Sequence, residues 1–382
     1  MSNELHIDWD PASTAVQGDQ RAAYDAMRER CPVAHSELLG WSLFRHEDVA
    51  RALHDPVSFS NAVSAHPAVP NGMDPPQHTA YRRVIEPYFA PDRMAAFEPA
   101  CRDLAVRLLQ PLLDTEVELI GAFSDRYAVQ VQCSFLGWPA AMHEPMRLWT
   151  QKNYASRLAD DRAQAARLAA EFERHVVAML DARRAAGCAG DDVTTRLLRE
   201  RVSGRTLHDA EIVSILRNWT VGEISTLSAA VGILVQYLAE HAELQQRLRA
   251  APSLLPAAIE EILRLHGPLV ANRRITTRAV EIGGRPIAAG ERISLNWIAA
   301  NRDGRVFEEP DACRLERDRD ANLLWGAGIH VCPGAPLARM ELRVALEELL
   351  ARTTRIEPLP GKPPTAAVYP ASGFASVYMR LV

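Results

Sequence analysis

Residues 325–339 read Trp325-Gly-Ala-Gly-Ile-His-Val-Cys332-Pro-Gly334-Ala-Pro-Leu-Ala-Arg339, and they decide the fold of this 382-residue chain. Two glycines precede a single cysteine, Cys332, and a helical apolar pattern begins shortly after it. Glycine adopts backbone angles that are closed to other residues and lets the main chain approach a flat ligand closely. A cysteine at the mouth of a helix feels the positive end of the helix dipole, which favours the thiolate over the thiol.

A thiolate held in this way suits a metal that already has its other ligands. Haem iron is such a metal, and a cysteine thiolate is one of its known axial ligands. Zinc would require several cysteine or histidine ligands at close spacing, and Cys332 has no such cysteine partner. The alternative is a buried structural cysteine in a glycine-rich loop. His330 and the Leu-Ala-Arg sequence at 337–339 favour the haem interpretation.

The order Trp-Gly-x-Gly-x-His-x-Cys-x-Gly-x-x-Leu-Ala-Arg resembles the cysteine-ligand loop of the cytochrome P450 family. The resemblance implies that Cys332 is the metal ligand of haem b (iron protoporphyrin IX). It also implies that Trp325, Gly326 and Gly334 belong to the haem-binding loop, and that His330 holds a haem propionate.

The resemblance extends from about residue 40 to the end and implies a cytochrome P450 fold, mainly α with small β elements, in a single large domain, 1–382. We expect an N-terminal lead of about 20 residues, a helical core and two β-rich parts. We expect the helical core at residues 92–268 and the two β-rich parts at residues 270–300 and 365–382. Apolar residues at three- and four-residue spacing predict helices at 104–113, 123–136, 146–158, 163–185 and 211–238.

The composition is that of a water-soluble globular protein, with 48% hydrophobic and 24% charged residues. A net charge of −5 gives no indication of nucleic acid or an anionic membrane as partner. The six cysteines are scattered, which suits a reducing cytosol. The polar, acidic N-terminus has no signal segment, and no apolar run is long enough to span a bilayer. We therefore expect a cytoplasmic protein.

Two basic side chains, His78 and Arg82, are four residues apart and share one face of a predicted helix. Spacing alone allows either a solvated charged face or a site for an anion. The stretch that starts at Asp74 is similar to a segment that holds a haem propionate in the family, and this implies that both residues bind a propionate. The resemblance assigns the same role to Arg274 in preference to Arg273.

The preceding segment, 58–77, is rich in turn-forming residues and predicts a long irregular loop, either a lid over the substrate or a mobile linker.

The helix predicted at 211–238 contains a glycine, Gly222, and glycine inside a helix costs about 1 kcal/mol relative to alanine. By resemblance, this helix crosses the haem with a small residue, then an acid beside a threonine that delivers protons to oxygen. An ungapped match places Thr226 at the alcohol and Ser225 at the acid. A one-residue shift places Ser225 at the alcohol and Ile224 at the acid.

Both registers leave the acid position without a carboxyl group, and Glu223 is the nearest one. Glu223 and Thr226 are three residues apart and share a helix face. We therefore expect Glu223 to replace the usual acid, through a water molecule. The alternative is an ion pair between Glu223 and a basic residue such as Arg217.

Other parts of the chain complete the expected site. Glu261 and Arg264 resemble the family's buried Glu-x-x-Arg, which is structural. A final hairpin is predicted at 369–382, with its turn at Gly373-Phe374 facing the substrate. The expected apolar substrate pocket consists of Trp219, Gly222, Leu269 and Phe374.

The loop departs from the family pattern at two positions. Pro333 follows Cys332 and has no N–H for the sulfur, so we expect a lower iron potential. Trp325 replaces the usual phenylalanine, and an indole N–H that reaches the sulfur would offset part of this effect.

These features predict a monooxygenase that inserts one oxygen atom from O2 into a small lipophilic substrate, either an aromatic compound or another apolar one. The chain has no flavin or iron–sulfur signature, so electrons are expected from a ferredoxin or flavodoxin with its reductase. Neither nucleic acid nor a membrane is an expected partner. Alternatives are peroxide-driven oxidation or phenol coupling, a non-catalytic haem protein that recruits a partner, and a haem-free helical binding protein.

Overall fold

The structure is a computed structural model that describes residues 7–64, 68–158 and 161–382. Helices dominate these residues, as the apolar periodicity predicts. The α-helices are α1 Thr14–Gly18, α2 Gln20–Arg30, α3 His46–His54, α4 Gln77–Ile85, α5 Pro91–Leu109, α6 Asp125–Leu136, α7 His143–Leu158, α8 Arg162–Ala185, α9 Val193–Leu197, α10 Asp209–Glu240, α11 Ala242–Ala250, α12 Leu255–His266, α13 Trp297–Ala300 and α14 Ala335–Arg352. Short 3₁₀ turns lie at Glu86–Phe89, Gln110–Leu112, Ala140–Met142, Pro252–Leu254 and Gly328–His330, and a π-helical turn at Ile120–Ser124.

The strands are short and form small sheets at the periphery of the helical core. They are β1 Val33–Ser36, β2 Gly40–Leu43, β3 Phe59–Ser60, β4 Glu116–Glu118, β5 Arg201–Val202, β6 Arg205–Thr206, β7 Ala271–Thr276, β8 Val280–Ile282, β9 Arg285–Ile287, β10 Arg292–Asn296, β11 Ile356–Pro358, β12 Thr365–Ala366, β13 Phe374–Ser376 and β14 Tyr378–Leu381. The largest sheet has the order β1-β2-β10-β7-β3, and β11-β14-β4 form a second. In the first sheet only β10 and β2 run parallel.

Helix α10 is the central element of the core. Its start is fixed locally, because the carboxylate of Glu211 accepts a hydrogen bond from the backbone N–H of His208 at 2.7 Å. Over 32 residues it extends about 48 Å and packs against α6, α8, α12 and α14. Each fully buried leucine or isoleucine on it, such as Leu234 or Ile215, contributes roughly 1.5–3 kcal/mol.

Helix α10 is also the one described helix that is long and apolar enough to cross a membrane. However, 61% of its apolar window is buried inside the protein. This burial is what the core helix of a water-soluble protein shows, so the length and apolarity of α10 are explained by packing.

Two helices far apart in sequence, α5 and α14, are joined by a network of ion pairs. Arg102 on α5 contacts the carboxylates of Glu98, Glu347 and Glu348. Arg343 on α14 returns to Glu98 and Glu347. Because each helix supplies an arginine and at least one glutamate, the network joins the C-terminal half of α14 to α5.

The expected fold class is confirmed, and the C-terminal strand pairing differs from the predicted hairpin. β13 pairs with β12, whereas β14 pairs with β11 and β4. The turn that contains Gly373 therefore connects β12 to β13, and its ends meet where Ala367 N–H donates to the carbonyl of Gly373 at 2.9 Å. The local pattern could not reveal this, because β4 lies more than 250 residues earlier in the chain.

The segment predicted as a long loop, 58–77, is largely irregular apart from β3, and residues 65–67 lie outside the described part. Its second half is attached to α10. Val69 N–H donates to Ser214 Oγ at 2.9 Å, and Asn218 Nδ2 donates to the carbonyl of Val69 at 3.0 Å. A segment with these bonds is a packed wall of the core, so the linker alternative does not hold for residues 68–73.

Candidate active site

The cysteine loop is shaped by glycines and closed by a backbone hydrogen bond. Gly326 and Gly328 have φ values of 71° and 67°, in the left-handed region. A Cβ atom on Gly328 would lie 2.3 Å from the carbonyl oxygen of Leu53, so only glycine fits there. Cys332 N–H then donates to the carbonyl of Trp325 at 2.8 Å, which brings the cysteine back across the loop.

Cys332 precedes α14, and the backbone N–H groups of Gly334 and Ala335 face its sulfur. The expected stabilisation of the thiolate is outweighed in the protein alone. Burial, together with the charge of Glu223, raises the pKa of the Cys332 thiol to about 11, although the two amides and Arg82 oppose this. The side chain nevertheless keeps a large accessible surface. A cation bound at this sulfur would supply the charge that makes the thiolate stable.

Four basic side chains predicted to bind an anion lie together beside this loop. His78 and Arg82 lie one turn apart on α4, Arg274 comes from β7, and His330 from the loop itself. The rings of His78 and His330 are 4.1 Å apart. Arg82 donates to the carbonyl of Val331 at 2.8 Å, which ties α4 to the loop.

The imidazoles in this cluster lack partners for their polar atoms. Both ring nitrogens of His78 and Nε2 of His330 are buried without a hydrogen bond among the described residues. Burial lowers the pKa of His78. Burial also lowers the pKa of His330, to about 3, and the neighbouring charges of His78 and Arg274 add to this effect. Burial also lowers the pKa of Arg274 to about 10. An anion at this place would satisfy orphaned donors and offset the positive charge.

Helix α10 presents Gly222 and Ser225 as exposed positions, and a Cβ atom on Gly222 would meet nothing within 4 Å. The hydroxyl of Thr226 donates to the carbonyl of Gly222 at 2.6 Å, with a second contact to the carbonyl of Glu223 at 3.2 Å. This leaves the lone pairs of the Thr226 oxygen available to accept a hydrogen bond.

The carboxyl group of Glu223 faces another acid, Glu341 on α14. Glu341 is fully buried, and neither of its carboxylate oxygens has a partner with a donor hydrogen among the described residues. Burial raises the pKa of both groups, that of Glu341 well above its usual range. Two facing carboxyl groups can bond to each other only when one keeps a proton. The group that acts on Glu223 is thus an acid, and Arg217 is not among the causes of its pKa shift.

The indole of Trp325 does not donate to the sulfur of Cys332, so that expectation was wrong. Its Nε1–H donates to the carboxylate of Glu260 on α12, at 2.9 Å and 3.1 Å to the two oxygens. Spacing could not reveal this partner, because it lies 65 residues earlier in the chain. The neighbouring acid, Glu261, bonds to Arg264 at 2.9 Å and to Arg317 at 2.8 Å, and its predicted structural role is confirmed.

The expected pocket residues fall into two places. Leu269 forms a β-bridge with Ala371, and the loop beyond it brings Gly373 to Ile233 on α10. Phe374 follows and packs against the main core. Trp219, in contrast, is buried in an aromatic cluster, 5.2 Å from Phe89 and also beside Tyr88 and Phe135. Its ring therefore lies in the packed core rather than on an open wall.

Two acids in the site were missed from the sequence. Glu341 lies on α14 four residues from both Leu337 and Ala345, so a carboxyl group on an apolar helix face was a usable signal. Glu260 carried no such signal, because it stands beside the acid of a known motif.

A sequence profile of the family described as Cytochrome P450 matches residues 137–367. The chain is also 33% identical over 348 residues to the cyclomarin C epoxidase CymV of Salinispora arenicola, over 87% of this chain and 88% of that protein. The chain belongs to the cytochrome P450 family. This P450 is also 33% identical over 354 residues to the erythromycin C-12 hydroxylase of Saccharopolyspora erythraea, and the match covers 88% of this P450 and 89% of the hydroxylase.

Solved P450 structures agree with this assignment. The open form of cytochrome P450 EryK from S. erythraea superposes with a TM-score of 0.88 at 29% identity and covers 98% of each chain. CYP109E1 from Bacillus megaterium, in complex with corticosterone, gives a TM-score of 0.86 at 26% identity, over 96% of this chain and 99% of that one. The relatives are named for epoxidation and hydroxylation, so this P450 is an oxygenase.

Cytochromes P450 use haem, and the described residues fit that group. The accessible sulfur of Cys332 suits iron, and the unpartnered nitrogens of His78 and His330 suit the carboxylates of a porphyrin. Arg82 and Arg274 supply the matching positive charge.

Proposed function

We propose that this cytochrome P450 inserts one oxygen atom from O2 into a small lipophilic substrate, with Cys332 as the ligand of haem b. Bound haem supplies the chemistry that activates oxygen. His78, Arg82, Arg274 and His330 bind its propionates, and Trp325, Gly326 and Gly334 shape the loop around Cys332. The accessible sulfur beside a cluster of unpartnered imidazoles carries this proposal.

Replacement of the proposed ligand tests the assignment. Cys332→Ala should purify without the thiolate-type carbon-monoxide difference band expected for the family, whereas Cys188→Ala should keep it. Cys188 is a suitable control because it is partly exposed and lies outside the site. A Cys332→Ala protein with an unchanged band would contradict the assignment.

The proton supply is assigned to three residues of α10. Thr226 accepts a hydrogen bond at its hydroxyl oxygen, because its own proton is held by the carbonyl of Gly222. The Glu223–Glu341 pair keeps a proton that is held mainly by Glu341, whose pKa is raised well above its usual range, and Glu223 can relay it toward the haem. Ser225 is exposed on the same helix and can join a chain of water molecules between them.

The substrate is assigned from the apolar character of the expected pocket. Leu269 is 36% exposed and pairs with Ala371, three residues before Phe374, and the space beside Gly222 on α10 is open. Relatives include an erythromycin hydroxylase and a P450 structure with bound corticosterone, and both names point to lipophilic ligands. A titration of the purified protein with lipophilic compounds should shift the Soret band for members of this class. Polar compounds of similar size serve as the control.

The electron donors are proposed to be a ferredoxin or flavodoxin with its reductase, and the protein to act in the cytoplasm, without nucleic acid or a membrane. The acid position lacks a carboxyl group in either register, with Ser225 or Ile224 there, and this favours a second class of candidates, peroxide-driven oxidation or phenol coupling. Product yield with NAD(P)H and redox partners should exceed that with peroxide. A reversed order would support the second candidate.

A further inference from the structure

Glu260 is a buried acid on α12 whose carboxylate accepts hydrogen bonds from two side chains of the 325–339 segment, which contains the cysteine loop and the start of α14. It is 5% exposed, and its carboxylate accepts from the indole of Trp325 and from Nε of Arg339, the latter at 2.6 Å. The guanidinium carbon of Arg339 lies 4.9 Å from the centre of a Trp325 ring, so the two donors also contact each other.

These two donors lie seven residues before and seven residues after Cys332. The first, Trp325, also accepts the Cys332 N–H at its carbonyl oxygen at 2.8 Å. The second, Arg339, lies in α14 just after the amides that face the sulfur. One carboxylate therefore ties both ends of the cysteine loop to α12.

The charge of this carboxylate makes the connection strong. A buried carboxylate is stable only when a cation and further hydrogen-bond donors lie beside it. Hydrogen bonds to a charged group are also stronger than hydrogen bonds between neutral groups. Removal of the charge leaves a neutral acceptor, which binds the indole N–H and the guanidinium more weakly. The carbonyl of Trp325 and the start of α14 are then held less firmly by α12.

We propose that Glu260 is a positioning residue that holds Trp325 and Arg339 so that the sulfur of Cys332 stays directed at the haem iron. This inference rests on the proposed role of Cys332 as the ligand. It gives the two neighbouring acids of α12 separate tasks, because Glu261 bonds to Arg264, Arg317 and the backbone N–H of Arg314 and not to the loop.

The test measures how fast the thiolate-type carbon-monoxide band of the ferrous holoprotein is lost on mild warming. Glu260→Gln keeps the size of the side chain and removes its charge. Trp325→Phe keeps an aromatic ring and removes the indole donor. Glu347→Gln is the matched control. It also removes the charge of a glutamate that is paired with arginine side chains, Arg102 and Arg343, but these pairs do not involve the cysteine loop.

Glu260→Gln should lose the band about tenfold faster than the parent, the factor that corresponds to loss of a charge-assisted hydrogen bond. In the Trp325→Phe background the same substitution should change the rate by a smaller factor than it does in the parent, because one of the two bonds to Glu260 is already absent and only the bond from Arg339 remains to be weakened. Glu347→Gln should behave as the parent. Equal rates for Glu260→Gln and Glu347→Gln, or independent effects of Glu260→Gln and Trp325→Phe, would overturn the proposal.

Arg339→Gln provides a second route if Glu260→Gln does not fold. Arg339 is 51% exposed at its side chain, so its replacement leaves no buried cavity. It should accelerate loss of the band in the same direction, and an unchanged rate would contradict the proposal. A parent protein without any thiolate-type band would instead contradict the role of Cys332, so the two failures are distinguishable.

Discussion

At the residue scale, Glu223 and Glu341 bring two carboxyl groups together beneath α10 without a basic residue between them. Burial is the first cause of the raised pKa of each group. A Cβ atom on Gly334 would lie 3.8 Å from Glu223 and 3.9 Å from the sulfur of Cys332, so this pair borders the site. The protein thus stores a proton beside the proposed thiolate ligand.

Glu341→Gln should stabilise the protein at neutral pH. A buried acid whose folded pKa is raised keeps its proton after the unfolded chain has lost it, so stability falls as pH rises above the ordinary carboxyl pKa of 4.5. Removal of this group should weaken that fall, by about 1.4 kcal/mol for each unit by which the folded pKa is raised. Thermal unfolding at pH 5 and pH 8 measures it. A stability loss in the variant at pH 8 would contradict the prediction.

Glu223→Gln should uncouple oxygen consumption from product formation. The amide cannot release a proton, so a larger share of the electrons from NAD(P)H should end as peroxide, with product per NAD(P)H reduced by about tenfold. Glu240→Gln, near the other end of α10 and bonded to Gln236, is the control and should keep the parent coupling. Parent-like coupling in Glu223→Gln would remove this residue from the proton supply.

At the element scale, the cysteine loop depends on the close approach of its backbone to α3. Gly328 combines a left-handed conformation with direct contact to the carbonyl of Leu53, near the end of α3. The position of the loop against α3 is thus set by the absence of a side chain rather than by an attractive contact.

Gly328→Ala should prevent haem incorporation, because its Cβ atom would lie 2.3 Å from that carbonyl oxygen. Gly361→Ala is the control that separates backbone strain from a steric clash. Gly361 also has a positive φ, of 76°, but a Cβ atom added to it would have nothing within 4 Å. We expect a loss of roughly 1–2 kcal/mol for Gly361→Ala and normal haem content. Haem content per protein and thermal unfolding check both. Equal behaviour of the two variants would show that the contact with Leu53 is unimportant.

At the scale of the whole molecule, the two halves of the chain are joined by charge as well as by the apolar core. Arg102 reaches three carboxylates, two of which are about 245 residues away in the sequence. Each exposed ion pair contributes little, but a network that shares one arginine contributes more than its separate pairs.

Arg102→Met should lower the stability by about 1–2 kcal/mol at low salt, and this loss should shrink in high salt because the network is partly exposed. Arg147→Met removes a single exposed pair with Glu144 and should leave the stability close to that of the parent at both salt concentrations. Chemical unfolding at two salt concentrations measures both variants. Equal losses would indicate that the network adds nothing beyond one pair.

The sequence allows prediction of those parts of the molecule that rest on local patterns. The helices follow from apolar periodicity, and the placement of Cys332, His78 and His330 follows from motif spacing. The direction of the Trp325 indole and the partner of Glu223 depend on residues brought close only by folding. The pairing of β14 with β4 was not predicted for the same reason, because the two strands are neighbours in the fold but lie far apart in the sequence.

The strand arrangement at the C-terminus has a consequence for synthesis of the protein. β14 spans Tyr378–Leu381, and it pairs with β4 near residue 117. Cys332 and α14 also come late in the order of translation, after α5, α10 and α12. The helices of the core are therefore synthesised before the residues proposed to bind haem and before the strand that joins β4.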